Sequence, residues 1–178
     1  MIDQRMFGAV VSGFLAVAVA QGAGRVRGGL VAFYDFTAGE GTVVEDRSGV
    51  EPAIDLRIED PGAVEWGRGA LKVKAKTLIR TDKPPKRMLE TLKKSGQLTV
   101  EAWVHPARLN QSGPARIVTL SRDTSNRNLT LGQDGETFDA RLRTTKTGNN
   151  GVPSLQSANQ TVDTRPTHVV FTRSRSGE

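Results

Sequence analysis

From Leu30 onward the chain alternates hydrophobic and polar positions in short runs. In LVAFYDF, Leu30, Ala32, Tyr34 and Phe36 share one side, and in AIDLRIE, Ile54, Leu56 and Ile58 alternate with Asp55, Arg57 and Glu59. Successive side chains of a strand point to opposite faces, so a period of two predicts half-buried strands. The same reading predicts strands over 42–45, 63–66, 70–76, 78–81, 98–105, 116–121, 128–131, 138–143 and 168–172. Turn chemistry separates them at 46–49, 61–62, 67–69, 113–114, 134–135 and 150–151, where Gly, Pro, Asn and Asp cluster. Many short strands at regular spacing predict an all-β sandwich or barrel.

Two stretches break the alternation. Pro84 and Pro85 open a short helix whose stripe is Met88, Leu89 and Leu92, with Lys93 and Lys94 suited to the negative end of its dipole and Gly96 placed to cap it. Residues 144–161 are polar and rich in Gly, Asn, Ser and Thr, and predict a long loop. Ahead of the strands, Arg5 precedes an uncharged run over 7–20 that ends in the small-x-small site Ala18, Val19, Ala20. That run falls short of the ~20 apolar residues a membrane span needs, so the expectation is a signal peptide over 1–20, cleaved after Ala20. A glycine-rich lead-in follows over 21–28, and the folded domain runs over 29–178. The mature protein is then exported, to the periplasm, cell surface or extracellular space, and is no integral membrane protein.

The length of 178 residues fits one ordinary domain. Cysteine is absent and only His105 and His168 are present, which leaves no disulfide framework, no thiolate metal site and little basis for zinc. The net charge of +6 is unevenly laid out: residues 30–65 carry net −7 and residues 66–94 net +8. Opposite charges on one folded surface explain this layout better than a nucleic-acid arm does, and at 5% aromatic residues there is little to stack bases on. Within the basic stretch, Lys72, Lys74 and Lys76 stand two apart on one predicted strand, with Leu71, Val73 and Ala75 on its other face. Such a ladder suits an anionic polysaccharide or an acidic protein, and equally a solvated strand edge.

Catalytic patterns are missing. Retaining glycan hydrolysis needs two carboxylates about 5–5.5 Å apart, and Asp55, Arg57 and Glu59 place a base between two acids, while Glu101 has no acid two residues away. There is no G-x-S-x-G elbow and no glycine-rich phosphate loop. Both histidines read as structural. Asp123, Asn126 and Asn128 gather oxygens without an EF-hand spacing and read as turn caps or as a calcium site.

Taken together, GLVAFYDFTAGEGTVVEDRSG, SGQLTVEAWVHP and THVVFTR resemble the laminin G-like domains of the concanavalin A-like lectin/glucanase superfamily. GPARIVTLS, RNLTLGQDG and RLRTTKTGNNGVPSL are similar to the laminin G modules of large exported bacterial proteins of the planctomycete type. The resemblance covers 29–178 and implies a jelly-roll sandwich of two antiparallel sheets with one short helix. It implies that Trp103, and with it Trp66, lies in the packed interior, that calcium is a candidate cofactor, and that further strands normally follow a segment such as THVVFTRSRSGE. A sheet without them exposes backbone beside Val169 and Phe171. The expected function is therefore a noncatalytic recognition module for glycan, with Asn149 and Asn150 on the long loop and the three lysines as ligand residues. The alternative is a structural or adhesive domain that contacts another envelope protein.

Overall fold

The computed structural model describes residues 5–8 and 28–177. Twelve strands and one α-helix follow in chain order: β1 (Arg5–Gly8), β2 (Val43–Val44), β3 (Leu56–Ile58), β4 (Val64–Gly67), β5 (Ala70–Val73), β6 (Ile79–Arg80), α1 (Lys86–Ser95), β7 (Leu98–Val104), β8 (Ala115–Ser121), β9 (Arg127–Asp134), β10 (Thr137–Leu142), β11 (Leu155–Gln156) and β12 (Thr167–Arg173). An eight-stranded sheet has the order β11-β10-β9-β8-β1-β6-β3-β2, and β12-β7 and β4-β5 form two-stranded sheets. Every pairing is antiparallel. The all-β sandwich expected from the sequence is thus present, with its second layer divided into separate pairs.

The alternation sets the layers. Along β7, Leu98, Val100, Ala102 and Val104 turn inward, and Val169 and Phe171 do the same on β12. They meet the inner face of the large sheet, where Leu120, Leu129, Ile117 and Phe138 are buried. Val44, Leu56, Ile58 and Ile79 extend that core beneath β2, β3 and β6, and Val64 and Leu71 bring β4-β5 onto it. Each fully buried aliphatic side chain contributes about 1.5–3 kcal/mol. Gly132 in β9 is required by a close approach, since a Cβ there would lie 2.6 Å from the Ala115 carbonyl oxygen.

The helix forms where the sequence places it. Lys93 and Lys94 occupy its last turn, and Gly96 closes it at φ +66°, donating its N–H to the Leu92 carbonyl at 2.9 Å. Met88, Leu89 and Leu92 pack onto the core. Other expectations need correction. Residues 30–36 form no strand: Val31, Ala32, Tyr34 and Phe36 still pack on the core, but the backbone is held by side chains instead of a ladder. The buried Asp46 carboxylate accepts N–H bonds from Phe33 (3.0 Å), Ser48 (2.9 Å) and Ile54 (3.0 Å). Arg87 on α1 lies 3.7 Å from it and donates to the Val31 carbonyl at 2.9 Å. Within 144–161 the chain is not loop throughout, because β11 pairs with β10. In the segment read as a signal peptide, Arg5–Gly8 forms β1 between β8 and β6, while the cleavage site after Ala20 and the lead-in over 21–27 lie outside the described residues.

Two outcomes test this packing. Leu131→Ala empties a fully buried position in β9 and should cost about 2–5 kcal/mol in chemical denaturation, whereas Val170→Ala on the exposed face should change stability by less than about 0.5 kcal/mol. Burial pushes the Asp46 carboxyl up, but the hydrogen bonds from Phe33, Ser48 and Ile54 outweigh it and hold its pKa below the ordinary aspartate value. Its stabilisation is therefore present above about pH 4 and is lost as pH falls through the lowered folded value. In acid titrations of unfolding, Asp46→Asn should be less stable at neutral pH by about 1–3 kcal/mol and show a flatter acid limb.

Candidate functional site

Because β7 and β12 bury one side each, their other side faces solvent. The register sets Thr99 opposite Thr172, Glu101 opposite Val170 and Trp103 opposite His168. Trp103 is 61% exposed, and its ring stacks on the His168 imidazole with centroids 4.3 Å apart and planes 13° from parallel. His168 Nε2 hydrogen-bonds Glu101 Oε1 diagonally across the pair at 2.9 Å, and the Thr99 and Thr172 hydroxyls bond each other. Glu101 therefore fixes the imidazole and the imidazole braces one face of the indole, which makes a rigid aromatic platform flanked by hydrogen-bonding groups. The interior position expected for Trp103 is wrong, because Trp103 has the parity of Thr99 and Glu101 and not that of the inward Val100 and Val104. Trp66 does pack partly on the core, and its indole N–H donates to the Gly41 carbonyl at 2.9 Å.

The outer side of the eight-stranded sheet carries different chemistry. Arg57, Arg80, the Phe7 position, Thr119, Thr130 and Arg141 form one continuous row across β3, β6, β1, β8, β9 and β10. A neighbouring row holds Arg116, Gly132, Asp139 and Gln156. Arg57 pairs with Asp82 at 2.9 Å, Arg80 with Glu59, and Arg141 with Asp139 at 3.0 Å. Ser154 and Gln156 complete the Asp139 carboxylate at 2.8 and 3.2 Å. Arg127 is almost wholly buried. Burial, with the nearby positive charges of Arg116 and Arg141, lowers its pKa from the ordinary guanidinium value, and Asp139 only partly offsets them.

The residues expected from the sequence are scattered. Lys72, Lys74 and Lys76 make no ladder: β5 ends at Val73, since the Lys74 and Ala75 N–H groups both turn to the Ala63 carbonyl, and only Lys72 stays in the strand. Asn149 and Asn150 lie in the chain reversal at 148–151, and Asn149 meets the start of β9. The Asn149 carbonyl accepts the Arg127 N–H at 2.9 Å, and Asn150 Oδ1 is buried without a partner. Asp123 is half-exposed and acts as a turn cap. The N–H groups of Ser125 and Asn126 and the Asn126 amide all donate to it, and with Arg122 they hold its pKa at about 2. Asn128 lies on β9, where its carbonyl accepts the Arg143 N–H.

A laminin G model, described as the concanavalin A-like lectin/glucanases superfamily, matches residues 84–178, more than half of the chain. The chain belongs to this superfamily. No curated protein and no solved structure matches it. In this concanavalin A-like domain the matched region begins at the proline pair that opens α1 and includes β7 to β12, so both the aromatic platform and the buried arginines fall inside it. Membership supports a binding module. Among the described residues no helix is long and apolar enough to cross a membrane.

Calcium does not fit the cluster at 123–128. Asn126 turns its NH₂ toward Asp123, whose oxygens are engaged by N–H donors, and no group of three His, Cys, Asp or Glu side chains converges among the described residues. Millimolar calcium should accordingly leave the melting temperature unchanged in a thermal shift assay, and a clear rise would reinstate the ion.

Proposed function

We propose that the protein is an exported, noncatalytic recognition module that binds carbohydrate on the outer face of β7-β12. The single observation behind this reading is the exposed Trp103 ring, braced by His168, with Glu101 bonded to that imidazole and Thr99 and Thr172 further along the same face. A sugar presents one apolar face of C–H groups and a rim of hydroxyls. A rigid indole takes the first and a carboxylate with neighbouring hydroxyls takes the second. Ordering costs little here, because both rings are already held by cross-strand contacts. Glu101 speaks for binding and against hydrolysis, since its same-face neighbours are Thr99, Trp103, Val170 and His168, with no second carboxylate among them.

Export fits the binding of a polymeric partner outside the cell. Cleavage after Ala20 would remove β1 with the signal, and Ile79–Arg80 and Val118–Ser121 would then have to pair with another strand. The mass of protein recovered from the exported fraction identifies its first residue and decides between a removed signal and a retained β1.

The binding test is a glycan array followed by calorimetry on the best ligand. Trp103→Ala should weaken binding by about thirty-fold or more, the effect of truncating an aromatic anchor, while costing less than about 1 kcal/mol of stability because the ring is exposed. Absence of binding to any glycan, at low and high salt alike, would leave Trp103 and Val170 as an adhesive patch for another protein and refute the carbohydrate reading.

A further inference from the structure

Among the strand residues on the outer face of β7-β12, Glu101 is the acid, and no lysine or arginine stands beside it. The face presents Thr99, Glu101 and Trp103 from β7 and His168, Val170 and Thr172 from β12. Arg173 has the opposite parity and turns away to donate to the Gly96 carbonyl. The Glu101 side chain is 51% exposed and spends Oε1 on His168 Nε2 at 2.9 Å. Its Oε2 takes no hydrogen bond among the described residues, and the Trp103 indole N–H makes none there either. His168 covers one face of the indole, so the 61% exposure of Trp103 comes from the ring edge and the other face. An open aromatic face, a free carboxylate oxygen and the absence of a neighbouring strand cation therefore meet on one exposed surface.

We infer that this platform selects sugars that carry a protonated amine, with Glu101 as the residue that selects them. The inference rests on the carbohydrate reading of the same face and names its ligand class. Glu101 and Trp103 stand two residues apart on one strand, about 6.5–7 Å, so a sugar ring stacked on the indole brings a ring substituent to the carboxylate. A hydroxyl there gives Oε2 an ordinary hydrogen bond. An ammonium gives a charge-assisted one, about twice as strong, and its charge is also attracted to the electron-rich indole face. A uronate or a sulfate ester would instead set like charge against Glu101. The bond from His168 goes to the other oxygen and holds the carboxylate in place, which reduces the cost of ordering it on binding. The charge of the whole protein works against the same ligand, since a net +6 repels a cationic oligomer at long range. A preference for the amine must then arise locally, at Glu101.

The test titrates the isotope-labelled full chain at neutral pH with oligomers of equal length built from glucosamine, N-acetylglucosamine, glucose and glucuronate. The readout is the Trp103 indole N–H resonance, identified by its loss in Trp103→Ala, so an oligomer held by basic side chains elsewhere does not count. At low salt the glucosamine oligomer should bind about tenfold tighter than the glucose oligomer, and the glucuronate oligomer should bind weakest. The advantage of the amine should shrink below about threefold at ~0.5 M salt, because exposed charges are screened. Glu101→Gln keeps an acceptor for His168 and removes the charge, and it should likewise bring the ratio of the two affinities below about threefold. Should that variant fail to fold, the salt series and the N-acetylglucosamine comparison on the natural chain decide, since acetylation keeps the nitrogen and removes its charge. The proposal is overturned if the acetylated oligomer binds as tightly as the free amine, if the advantage is unchanged by salt, or if folded Glu101→Gln retains it. Equal affinity for glucose and glucosamine would refute the amine preference and leave the carbohydrate platform standing, whereas a resonance that no oligomer moves would refute both.

Discussion

A pleated strand can bury only every second side chain, and this constraint decides what the molecule offers to its surroundings. Leu98, Val100, Ala102 and Val104 must face Leu120, Leu129, Ile117 and Phe138 to build a core, so Thr99, Glu101 and Trp103 must face out. The same parity on β8, β9 and β10 sends Leu120, Leu129 and Phe138 inward and leaves Thr119, Thr130, Asp139 and Arg141 on the other side. Both candidate surfaces are therefore by-products of a single packing requirement. The β7-β12 surface keeps an unbroken register, whereas β8-β9 is bulged beside Arg116 and Ser121, and a one-residue slip in register would destroy core and surfaces together.

The two outer faces manage polar groups in opposite ways. On β7-β12 the groups are exposed and pair with one another across the strands, Glu101 with His168 and Thr99 with Thr172, so they are ordered without loss of hydration. On the large sheet they are buried, and there each polar atom must find a partner or remain costly. Asp139 finds three donors, while Arg127, Arg116 and Ser121 retain unused capacity. The buried carboxylate of Asp46 shows the contrasting case. It is surrounded by N–H donors and an arginine, and it serves to pin the strandless segment 30–36, the turn after it and α1 to the sandwich.

Much of the fold was legible because its signals are local. The period of two located β3 to β10 and β12 to within a few residues, and Pro85, Gly96 and the Met88, Leu89, Leu92 stripe fixed α1. Residues 30–36 carried the same period without becoming a strand, since alternation reports which side chains are buried and not whether a neighbouring backbone is in reach. Chain reversal at 148–151 brings the Asn149 carbonyl to the Arg127 N–H, a contact that no local pattern in the loop announces. Trp103 went astray because its size argued for the interior while its parity argued for the surface, and parity prevailed.

The short-range pattern alone determined an all-β chain with one helix, while the superfamily entered through the resemblance of particular segments and the match over 84–178. Tertiary structure alone decided where charge accumulates. The lysines that stand two apart in the chain separate when β5 ends, whereas Arg57, Arg80, Arg116, Arg127 and Arg141, each on a different strand, converge on one face. The reason is geometric: neighbours along a strand are fixed by covalent spacing, but neighbours across strands are fixed by hydrogen-bond register, which only the folded sheet specifies.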